Sequence, residues 1–481
     1  MNLKSNTDMI KQQFVIGHLR LTSVAFFCLF VCCAAFSKPV INNYNLKFSF
    51  DFSQSRLFCK AELSFSNVKQ NDTLNLLLYR LLKVKSIKDT RGNDIAFDQH
   101  VTSFSDWEAL QVNSISVFLG ESKSQDTGKT IIIEYEGFLL GYTETGMSYV
   151  KDNIDPNFTI LRMDCYAYPI QGMPNWEINR AAGLSYFDYT ISVTVPDTLF
   201  VANGGQLISQ NRKNGSVEFV YRNFKPAWRI DIGIGKYATL VDDRFSVFYF
   251  PGDSSGAGIV ALSVKKAFSL YSNWFGEVPF SGYSIIEIPD GWGSQTDVTS
   301  ILQSASAFKD ESRIYELYHE LSHIWNIPSI DKNPCRLESE GLAMFLQYLV
   351  TEKLNDKHGI LDSSATIVFT NLKSKFAGDS VAFNTPMKDY GWKQMTDLSY
   401  TKGMLFFYLL YKSVGEIEFM KTIKDYYSVY RNKGATLDEF ARVIVAKLKS
   451  KQIDTLVNDW IYTNKSSQNI MNKKALQDLT E

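Results

Sequence analysis

The spacing of apolar residues changes near residue 242, and this change restricts the chain to a fold with two unlike parts. In the first part apolar and polar residues alternate, most strictly over residues 44–52, 131–138 and 189–195. Alternation with period two predicts strands that have one buried face and one exposed face. We therefore predict that residues 38–242 form a mostly antiparallel β domain.

The second part follows the longer period of amphipathic helices. A strand over 245–250, a helix over about 257–275 and a strand over 283–288 come first. After residue 308 helices are expected at roughly 309–326, 337–354, 399–414, 417–429, 436–449 and 453–462. The sequence thus predicts an α+β protein with a mainly helical second domain over 243–470 and a C-terminal tail over 471–481.

The N-terminus has the pattern of a secretory signal peptide. Basic residues precede an uncharged apolar stretch over 21–36, and small side chains stand at Ala35 and Ser37. This pattern predicts a signal peptide over 1–37, cleaved after Ser37, and an exported protein that is periplasmic or secreted. The alternative is an uncleaved membrane anchor, although the apolar stretch is shorter than the ~20 residues that span a bilayer. No second apolar stretch of spanning length follows, so we expect no membrane span in the mature chain.

The charge is nearly balanced, with 50 Lys and Arg residues against 51 Asp and Glu residues. Neither sign is concentrated in a long run, so we expect no nucleic-acid partner, since such binding needs clustered cations. Three cysteines follow the predicted cleavage site, at Cys59, Cys165 and Cys335. Three dispersed cysteines cannot form a disulfide framework, so the fold does not depend on one, while a single pair stays open.

A metal-binding pattern, His-Glu-x-x-His, lies in the helical part of the sequence, at His319, Glu320 and His323. Residues four apart lie one above the other on a helix, so both imidazoles can reach one ion. Glu320 is carried beside them, where it can contact a water molecule without binding the metal itself. This arrangement suits zinc.

A catalytic zinc ion needs a third protein ligand and an open position for water. Glu338 and Glu340 begin the next predicted helix, and they stand ~200° apart around its axis. Only one of the two can therefore face the metal. The spacing alone leaves both as candidates.

With Glu340-Gly341-Leu342-Ala343 after the histidine pair, the sequence resembles the gluzincin aminopeptidases, relatives of aminopeptidase N and leukotriene hydrolase. In that family the third zinc ligand opens an E-G-F-A or E-G-L-A motif, so the resemblance selects Glu340. Here 16 residues separate His323 from Glu340, where the family usually has about eighteen. The segment ending in Tyr400-Thr401-Lys402-Gly403 resembles the family's Y-x-K-G motif, whose tyrosine stabilises the oxyanion.

The resemblance covers nearly all of the predicted mature chain and implies its fold and activity. It implies a saddle-like antiparallel β domain followed by a thermolysin-like, mainly helical zinc peptidase domain, without the C-terminal helical domain of larger relatives. His319, His323 and Glu340 would hold one zinc ion per chain. Glu320 would act as general base and Tyr400 would donate to the oxyanion. The expected activity is that of a zinc metallopeptidase, most simply an aminopeptidase that acts on peptides, and the oligomeric state stays open.

The family's amine-binding segment, G-x-M-E-N, has no close match here. The segment after Pro289-Asp290 contains no glutamate, and counting without gaps places Asp297 at the glutamate position. Gln171 of the β domain is a further candidate for the amine pocket, although an exposed loop glutamine is the simpler interpretation. Three alternatives to an aminopeptidase therefore stay open: a zinc endopeptidase, a hydrolase of non-peptide substrates, or an inactive peptide-binding homologue.

Overall fold

The computed structural model describes residues 38–69, 71–120, 128–183, 185–278 and 282–479. The predicted signal peptide over 1–37 lies outside these residues. Within the described part of the chain, no helix combines the length and the apolar character needed to cross a membrane.

The first domain is built almost entirely of strands. In chain order they are β1 (Val40–Asp51), β2 (Arg56–Ser66), β3 (Thr73–Tyr79), β4 (Leu82–Asp89), β5 (Phe97–Phe104), β6 (Trp107–Phe118), β7 (Lys129–Gly137), β8 (Phe158–Leu161), β9 (Ile170–Gln171), β10 (Asp188–Pro196), β11 (Phe200–Asn203), β12 (Gln206–Lys213), β13 (Ser216–Arg222) and β14 (Ile232–Gly235). A short helix, α1 (Trp176–Ala181), lies between β9 and β10.

A seven-stranded sheet in the order β12-β13-β10-β1-β2-β7-β4 is the main layer of this domain. Neighbouring strands are antiparallel except β1 and β10, which run parallel with Asn43 opposite Asp188. Along β1 the alternate residues Tyr44, Leu46 and Phe48 are buried. The prediction of a mostly antiparallel β domain is confirmed.

Turn residues fix the register of the edge hairpin. Asn214 and Gly215 join β12 to β13, and both are left-handed, with φ of 52° and 75°. A two-residue type I′ turn needs a positive φ at both residues, and Asn-Gly adopts this conformation readily. Two smaller sheets, β5-β6-β3-β9 and β11-β14-β8, complete the domain.

The second domain opens with a five-stranded sheet in the order β15-β16-β17-β19-β18. Its strands are β15 (Ala238–Asp242), β16 (Phe245–Tyr249), β17 (Tyr283–Ile288), β18 (Gln295–Thr296) and β19 (Ser300–Ser304). Because β15 pairs with β16, this sheet starts at Ala238, inside the range 38–242 that the sequence assigned to the β domain. Asp242 ends β15, paired with Phe245, and Asp243 lies in the hairpin turn that follows, so this polar pair does not separate the domains.

Helices cover the rest of the second domain. They are α2 (Ser254–Phe275), α3 (Ser306–Lys309), α4 (Tyr315–Ser322), α5 (Leu342–Asn355), α6 (Ile360–Gly378), α7 (Ser380–Asn384), α8 (Thr396–Val414), α9 (Glu416–Tyr430), α10 (Leu437–Leu448), α11 (Lys451–Val457) and α12 (Lys465–Asn472). The α+β class is confirmed, although the sequence pattern missed α6 and α12. The prediction of a separate C-terminal tail from residue 471 is also corrected, because Leu476 is buried in the helical core.

Each domain has its own apolar core, and a third cluster joins them. In α8 every residue over 404–410 is buried, which makes this helix the centre of the second domain. The joining cluster packs Phe158 and Ile160 of the β domain against Ile286 and Leu302 of the second sheet. The three cysteines after the predicted cleavage site are buried as separate thiols, so the pair left open by the sequence does not form.

Candidate metal centre and active site

Two histidines present their rings from the end of α4. His319 lies in the last turn of the helix, and His323 follows directly in a 3-10 segment that continues it. The opposite face of α4 is fixed in the core by Leu317 and Leu321, both fully buried. The rings meet edge to face, with 5.0 Å between their centroids.

Glu340 completes the group from a different element. It lies in a π-helical turn, Leu337–Gly341, that runs into α5. Its Oε2 is 3.3 Å from His319 Nε2 and 3.5 Å from His323 Nε2. Single π turns are often found at functional sites. The 16-residue connection is therefore long enough to bring Glu340 to the histidine pair.

Glu338, the other carboxylate that the spacing allowed, faces different neighbours. Burial and the negative charge of Asp331 raise its pKa to about 7. Its charge also acts on Tyr426 of α9. The structure thus brings Glu340, and not Glu338, to the histidines.

Two amide side chains orient the imidazoles. His319 Nδ1 lies 2.8 Å from Gln347 Oε1, which can accept its proton and leave Nε2 free to bind a metal. His323 Nδ1 lies 2.7 Å from the amide of Asn326, which can do the same once its oxygen faces the ring. The sequence analysis missed both residues. Gln347 stands two helical turns after Glu340, a spacing that would have placed it on the same face.

The separations within this group fit a zinc ion. Zinc holds nitrogen and oxygen ligands at ~2.0–2.1 Å in tetrahedral geometry, so the ligand atoms of one ion lie about 3.3 Å apart. The Oε2 atom of Glu340 is 3.3 and 3.5 Å from the two Nε2 atoms, and the three candidate ligand atoms lie within 4.8 Å of one another. Two imidazoles and one carboxylate form a donor set that leaves a fourth position open.

The Glu340 carboxylate is kept ionised by its surroundings. Burial alone would raise its pKa, but the charges of His323, His319 and Arg336 hold the pKa well below the usual range of a glutamate. Arg336 donates from Nη2 to Glu340 Oε1, so the two carboxylate oxygens have separate partners. An ionised carboxylate is the form that binds a metal.

Thr296 of β18 holds the Glu320 side chain. Its hydroxyl lies 2.7 Å from Glu320 Oε2 and 2.9 Å from the backbone oxygen of Glu320. A hydroxyl can donate to a carboxylate oxygen and so fix its orientation. Edge strand β18 therefore lies alongside the helix that carries the histidines, and Thr296 is the residue of this strand that contacts the candidate base.

Tyr400 lies against the histidine pair from α8. Its ring is nearly parallel to that of His319, with 5.9 Å between the centroids and 7° between the planes. Burial, with the negative charge of Glu340, raises the pKa of Tyr400 above its usual value. The phenol therefore keeps its proton at neutral pH and remains a hydrogen-bond donor.

Asp297 follows Thr296 directly, just past the end of β18. Its carboxyl is buried, and burial together with the charge of Asp231 raises its pKa to about 7. Arg229 acts on it with the opposite sign. Asp297 thus lies on the side of the strand that faces the β domain. Its role as an anchor for a substrate amine stays a prediction.

Gln171 is occupied within the β domain. Its Oε1 accepts from Ile41 N at 3.2 Å, and its Nε2 donates to Pro39 O at 2.5 Å. Both ends of the amide thereby hold the backbone at the start of β1. This pairing gives Gln171 a structural task in β9, where it is half-buried, and not the exposed loop position that the sequence suggested.

A buried polar cluster holds β18 against the β domain; we call it the interdomain cluster, and it consists of Asp152, Arg162, Asp164, Arg229, Asp231 and Gln295. Arg162 is fully buried, and its guanidinium donates to both carboxylate oxygens of Asp152 and to Gln295 Oε1 at 3.1 Å. Arg229 donates to the same Gln295 oxygen at 2.7 Å. Since Gln295 precedes Thr296, this cluster positions the strand that contacts Glu320.

The part of the chain that contains this site is similar to a known protein family. Residues 293–460 match the Peptidase family M1 domain, and this range contains the histidine pair, Glu320, Glu340 and Tyr400. Over these residues, about a third of the chain, the sequence is similar to peptidase family M1. Family M1 is the gluzincin family that the sequence resembles, so that prediction is confirmed.

A curated protein is similar to part of this chain in sequence. "Probable aminopeptidase 2" of Sulfurisphaera tokodaii is 23% identical over 299 residues, which are 57% of this chain and 38% of that protein. This chain therefore matches well under half of the length of that curated relative.

Solved structures are similar to this chain in fold. The M1 zinc metallopeptidase of Deinococcus radiodurans, in a variant bound to a Tyr-Ser-Ala substrate, aligns with a TM-score of 0.64 at 14% identity, over 88% of this chain and 94% of that one. Native leukotriene A4 hydrolase of Saccharomyces cerevisiae aligns with a TM-score of 0.63 at 16% identity, over 88% and 68%. At these identities the likeness concerns the fold.

Proposed function

We propose that the chain is a zinc-dependent aminopeptidase whose single zinc ion is held by His319, His323 and Glu340. The observation that carries the proposal is the approach of both Nε2 atoms to one Glu340 oxygen, at 3.3 and 3.5 Å. When bound there, zinc supplies Lewis acidity toward the scissile carbonyl and the attacking water. The other steps belong to side chains of this protein.

Glu320 is the proposed general base. Its carboxylate, held by Thr296, accepts a proton from the attacking water and delivers it to the leaving amine. Tyr400, which keeps its proton, donates a hydrogen bond to the oxygen on which negative charge develops.

Removal of N-terminal residues is the favoured reaction because the relatives point to short peptides and free termini. The curated relative carries the name of an aminopeptidase, and the Deinococcus radiodurans protein binds a tripeptide. Asp297 is the proposed acidic partner of the substrate amine. Its carboxyl is buried near the charges of Arg229 and Asp231.

The test measures zinc and cleavage on the same purified protein. We expect one zinc per chain, cleavage of aminoacyl-nitroanilides, and a loss of ~10²–10⁴-fold in kcat for Glu320→Gln with the zinc content unchanged. Tyr400→Phe is the companion variant and should lower kcat in the same way. A protein without zinc, or a Glu320→Gln variant of full activity, would refute the proposal.

An endopeptidase acting through the same zinc site is the second candidate. It is favoured by the segment after Pro289-Asp290, which contains no glutamate where the family resemblance implies one for the substrate amine. Internally quenched peptides with a free or an acetylated N-terminus distinguish the two. An aminopeptidase requires the free amine, whereas equal rates on both peptides would establish the endopeptidase.

We also propose that the protein is exported and that the signal peptide ends at Ser37. The support is the order of basic, apolar and small residues before that position. N-terminal sequencing of protein recovered from the host's periplasm or medium should begin at Lys38. Recovery of the full-length chain in a membrane fraction would favour the uncleaved anchor.

A further inference from the structure

Arg336 lies beside the candidate zinc site without an assigned role. It precedes the π-helical turn in the left-handed conformation, with φ of 63°. Its guanidinium donates to Glu340 Oε1, and its Cζ lies 5.8 Å from the centre of the Tyr400 ring. The side chain nevertheless keeps 42% of its surface exposed. Most of its five N–H donors are thus left for a group outside the protein.

A second guanidinium reaches the same place from the other domain. Arg180 stands near the end of α1, and its Nη2 donates to Asn333 Oδ1 and to Gly391 O, both at 2.7 Å. Both acceptors are neutral, and no carboxylate of the described chain lies within ion-pair distance of Arg180. Its Nε is buried and has no hydrogen-bond partner among the described residues.

The two guanidiniums are close enough for their charges to interact. Burial lowers the pKa of Arg180, and the positive charge of Arg336 lowers it further, against a partial offset from Glu177. Glu320 and Glu340 each contribute one negative charge, and a bound zinc ion would add two positive charges to those of the two guanidiniums. With zinc bound, this group therefore carries an excess of positive charge, and such a site attracts anions.

We propose that Arg336 and Arg180 form a carboxylate-binding subsite next to the scissile bond. A guanidinium offers a planar pair of donors that matches a carboxylate, and two of them, one from each domain, can hold it from both sides. The substrates would be peptides with a carboxylate close to the cleaved bond. That carboxylate is the C-terminus of a short peptide or an acidic side chain. This inference rests on the proposed peptidase activity and specifies its substrate class.

The experiment compares matched peptides that differ in one carboxylate. Ala-Phe-Ala is used as free acid and as C-terminal amide, and Ala-Glu-Ala amide is paired with Ala-Gln-Ala amide. We expect kcat/KM to favour the carboxylate form of at least one pair by about 10-fold or more, as for a hydrogen bond to a charged group. A preference in the first pair identifies the C-terminus as the ligand, and a preference in the second identifies the side chain.

Variants assign the preference to the two arginines. Arg336→Gln and Arg180→Gln should each bring the ratio within the preferred pair toward one, mainly through KM. Arg91→Gln, an exposed arginine in a turn of the β domain, is the matched control and should keep the wild-type ratio. Because Arg336 contacts Glu340, the zinc content of its variant is measured as well. Arg180 does not contact a metal ligand. If the Arg336→Gln variant loses zinc, the Arg180→Gln variant alone therefore tests the subsite.

Binding measured by calorimetry separates this inference from the proposed activity. With Glu320→Gln, the same peptides should bind with the same preference for the carboxylate form. A preference in binding without cleavage by the wild type would support the subsite and refute the peptidase. Cleavage with equal kcat/KM for both members of each pair would refute the subsite and leave the peptidase standing.

Discussion

Thr296 makes the closest polar contact with the candidate base. Its hydroxyl is 2.7 Å from Glu320 Oε2. The position of Thr296 is set by the pairing of β18 with β19 and by the interdomain cluster. A carboxylate held in one orientation is ready to accept a proton from water, whereas a free one must first lose rotational freedom. Thr296 is therefore expected to act on turnover through Glu320.

Replacing Thr296 by valine tests this. The side chain keeps its shape and loses its hydroxyl, so we expect kcat to fall about tenfold while KM changes little, since one hydrogen bond to a charged group is worth ~1.5–3 kcal/mol. Steady-state kinetics on an aminoacyl-nitroanilide measures kcat and KM separately. Thr296→Ser retains the hydroxyl and should recover most of the rate. A Val variant that changes KM alone would assign Thr296 to substrate binding.

Lys402 is a charged residue that the folded chain buries completely. Its Nζ lies 3.1 Å from Ser467 Oγ, between the rings of Phe376 and Tyr390. Burial lowers the pKa of Lys402 to about 7, against ~10.4 for an unperturbed lysine. Between these two values the unfolded chain binds a proton that the folded chain does not. Stability from this residue therefore rises as the pH increases from about 7 to about 10, and it is lost as the pH falls through the folded value.

Lys402→Met should flatten the dependence of unfolding free energy on pH in that window and raise stability most at its lower end. Urea unfolding at pH 7, 8 and 9 provides the measurement. Lys388→Met, at an exposed position, serves as the control and should keep the wild-type slope. Parallel profiles for Lys402→Met and the wild type would show that the buried amine carries its proton throughout.

At the level of elements, the site depends on how closely α8 approaches the π-helical turn before α5. A Cβ on Gly403 would lie 2.8 Å from the Cα of Gly341, and a Cβ on Gly341 would lie equally close to the Cα of Gly403. Real Cβ atoms do not approach so near, so only glycine permits this crossing. Tyr400 on one element and Glu340 on the other are both within one helical turn of it.

Gly403→Ala should therefore separate the two elements and displace Tyr400 from the histidines. We expect a loss of ~1–3 kcal/mol in stability from overpacking and a fall in kcat larger than the fraction unfolded explains. Thermal unfolding and kinetics at a temperature well below Tm separate the two effects. Gly258→Ala, where a Cβ meets nothing within 4 Å, is the control and should be neutral or slightly stabilising.

The elements also show what the sequence could and could not predict. Alternation identified β1 and β10 because each has one buried face, but nothing local records that they pair with each other in parallel. The buried residues of α6 do follow helical spacing, yet the serines, threonines and lysines of its exposed face obscured it. Periodicity therefore predicts elements better than it predicts their neighbours.

Some residues of the site could likewise be predicted from the sequence, and others could not. The His-Glu-x-x-His spacing and the family resemblance predicted the residues that come together as the candidate ligands, because that information lies in short segments. Counting along the chain placed Asp297 at the amine pocket, but which of Thr296 and Asp297 faces Glu320 depends on the direction of β18. Arg180 could not be found in this way, since its contacts at Asn333 and Gly391 come from the other domain.

For the whole molecule, the interdomain cluster links catalysis to the packing of the two domains. Arg162 is fully buried and ion-paired to Asp152, which is fully buried as well. Removing one member of a buried pair leaves the other charge without compensation and costs ~3–5 kcal/mol. The same arginine also holds Gln295, so its loss should loosen β18 from the β domain.

Arg162→Met is accordingly expected to lower Tm and to reduce activity at temperatures where the far-ultraviolet circular dichroism is still native. Arg56→Met removes an arginine paired with Glu136 at the surface, where an ion pair contributes ~0–1 kcal/mol, and it should change neither quantity much. Melting curves followed by ellipticity and by residual activity provide the comparison. Coincident curves for Arg162→Met would mean that the domains unfold as one unit.

The parallel pairing of β1 with β10 has a consequence for the order in which the protein is assembled. β1 lies near the middle of the seven-stranded sheet, yet one of its two neighbours is about 150 residues further along the chain. During synthesis β1 must therefore wait, with one edge unpaired, until β10 has left the ribosome, and contacts so distant in sequence form slowly. A nascent chain that stops before residue 188 should bind chaperones and remain sensitive to protease, whereas one that includes β13 should already contain a protease-resistant sheet in which β1 is paired on both sides.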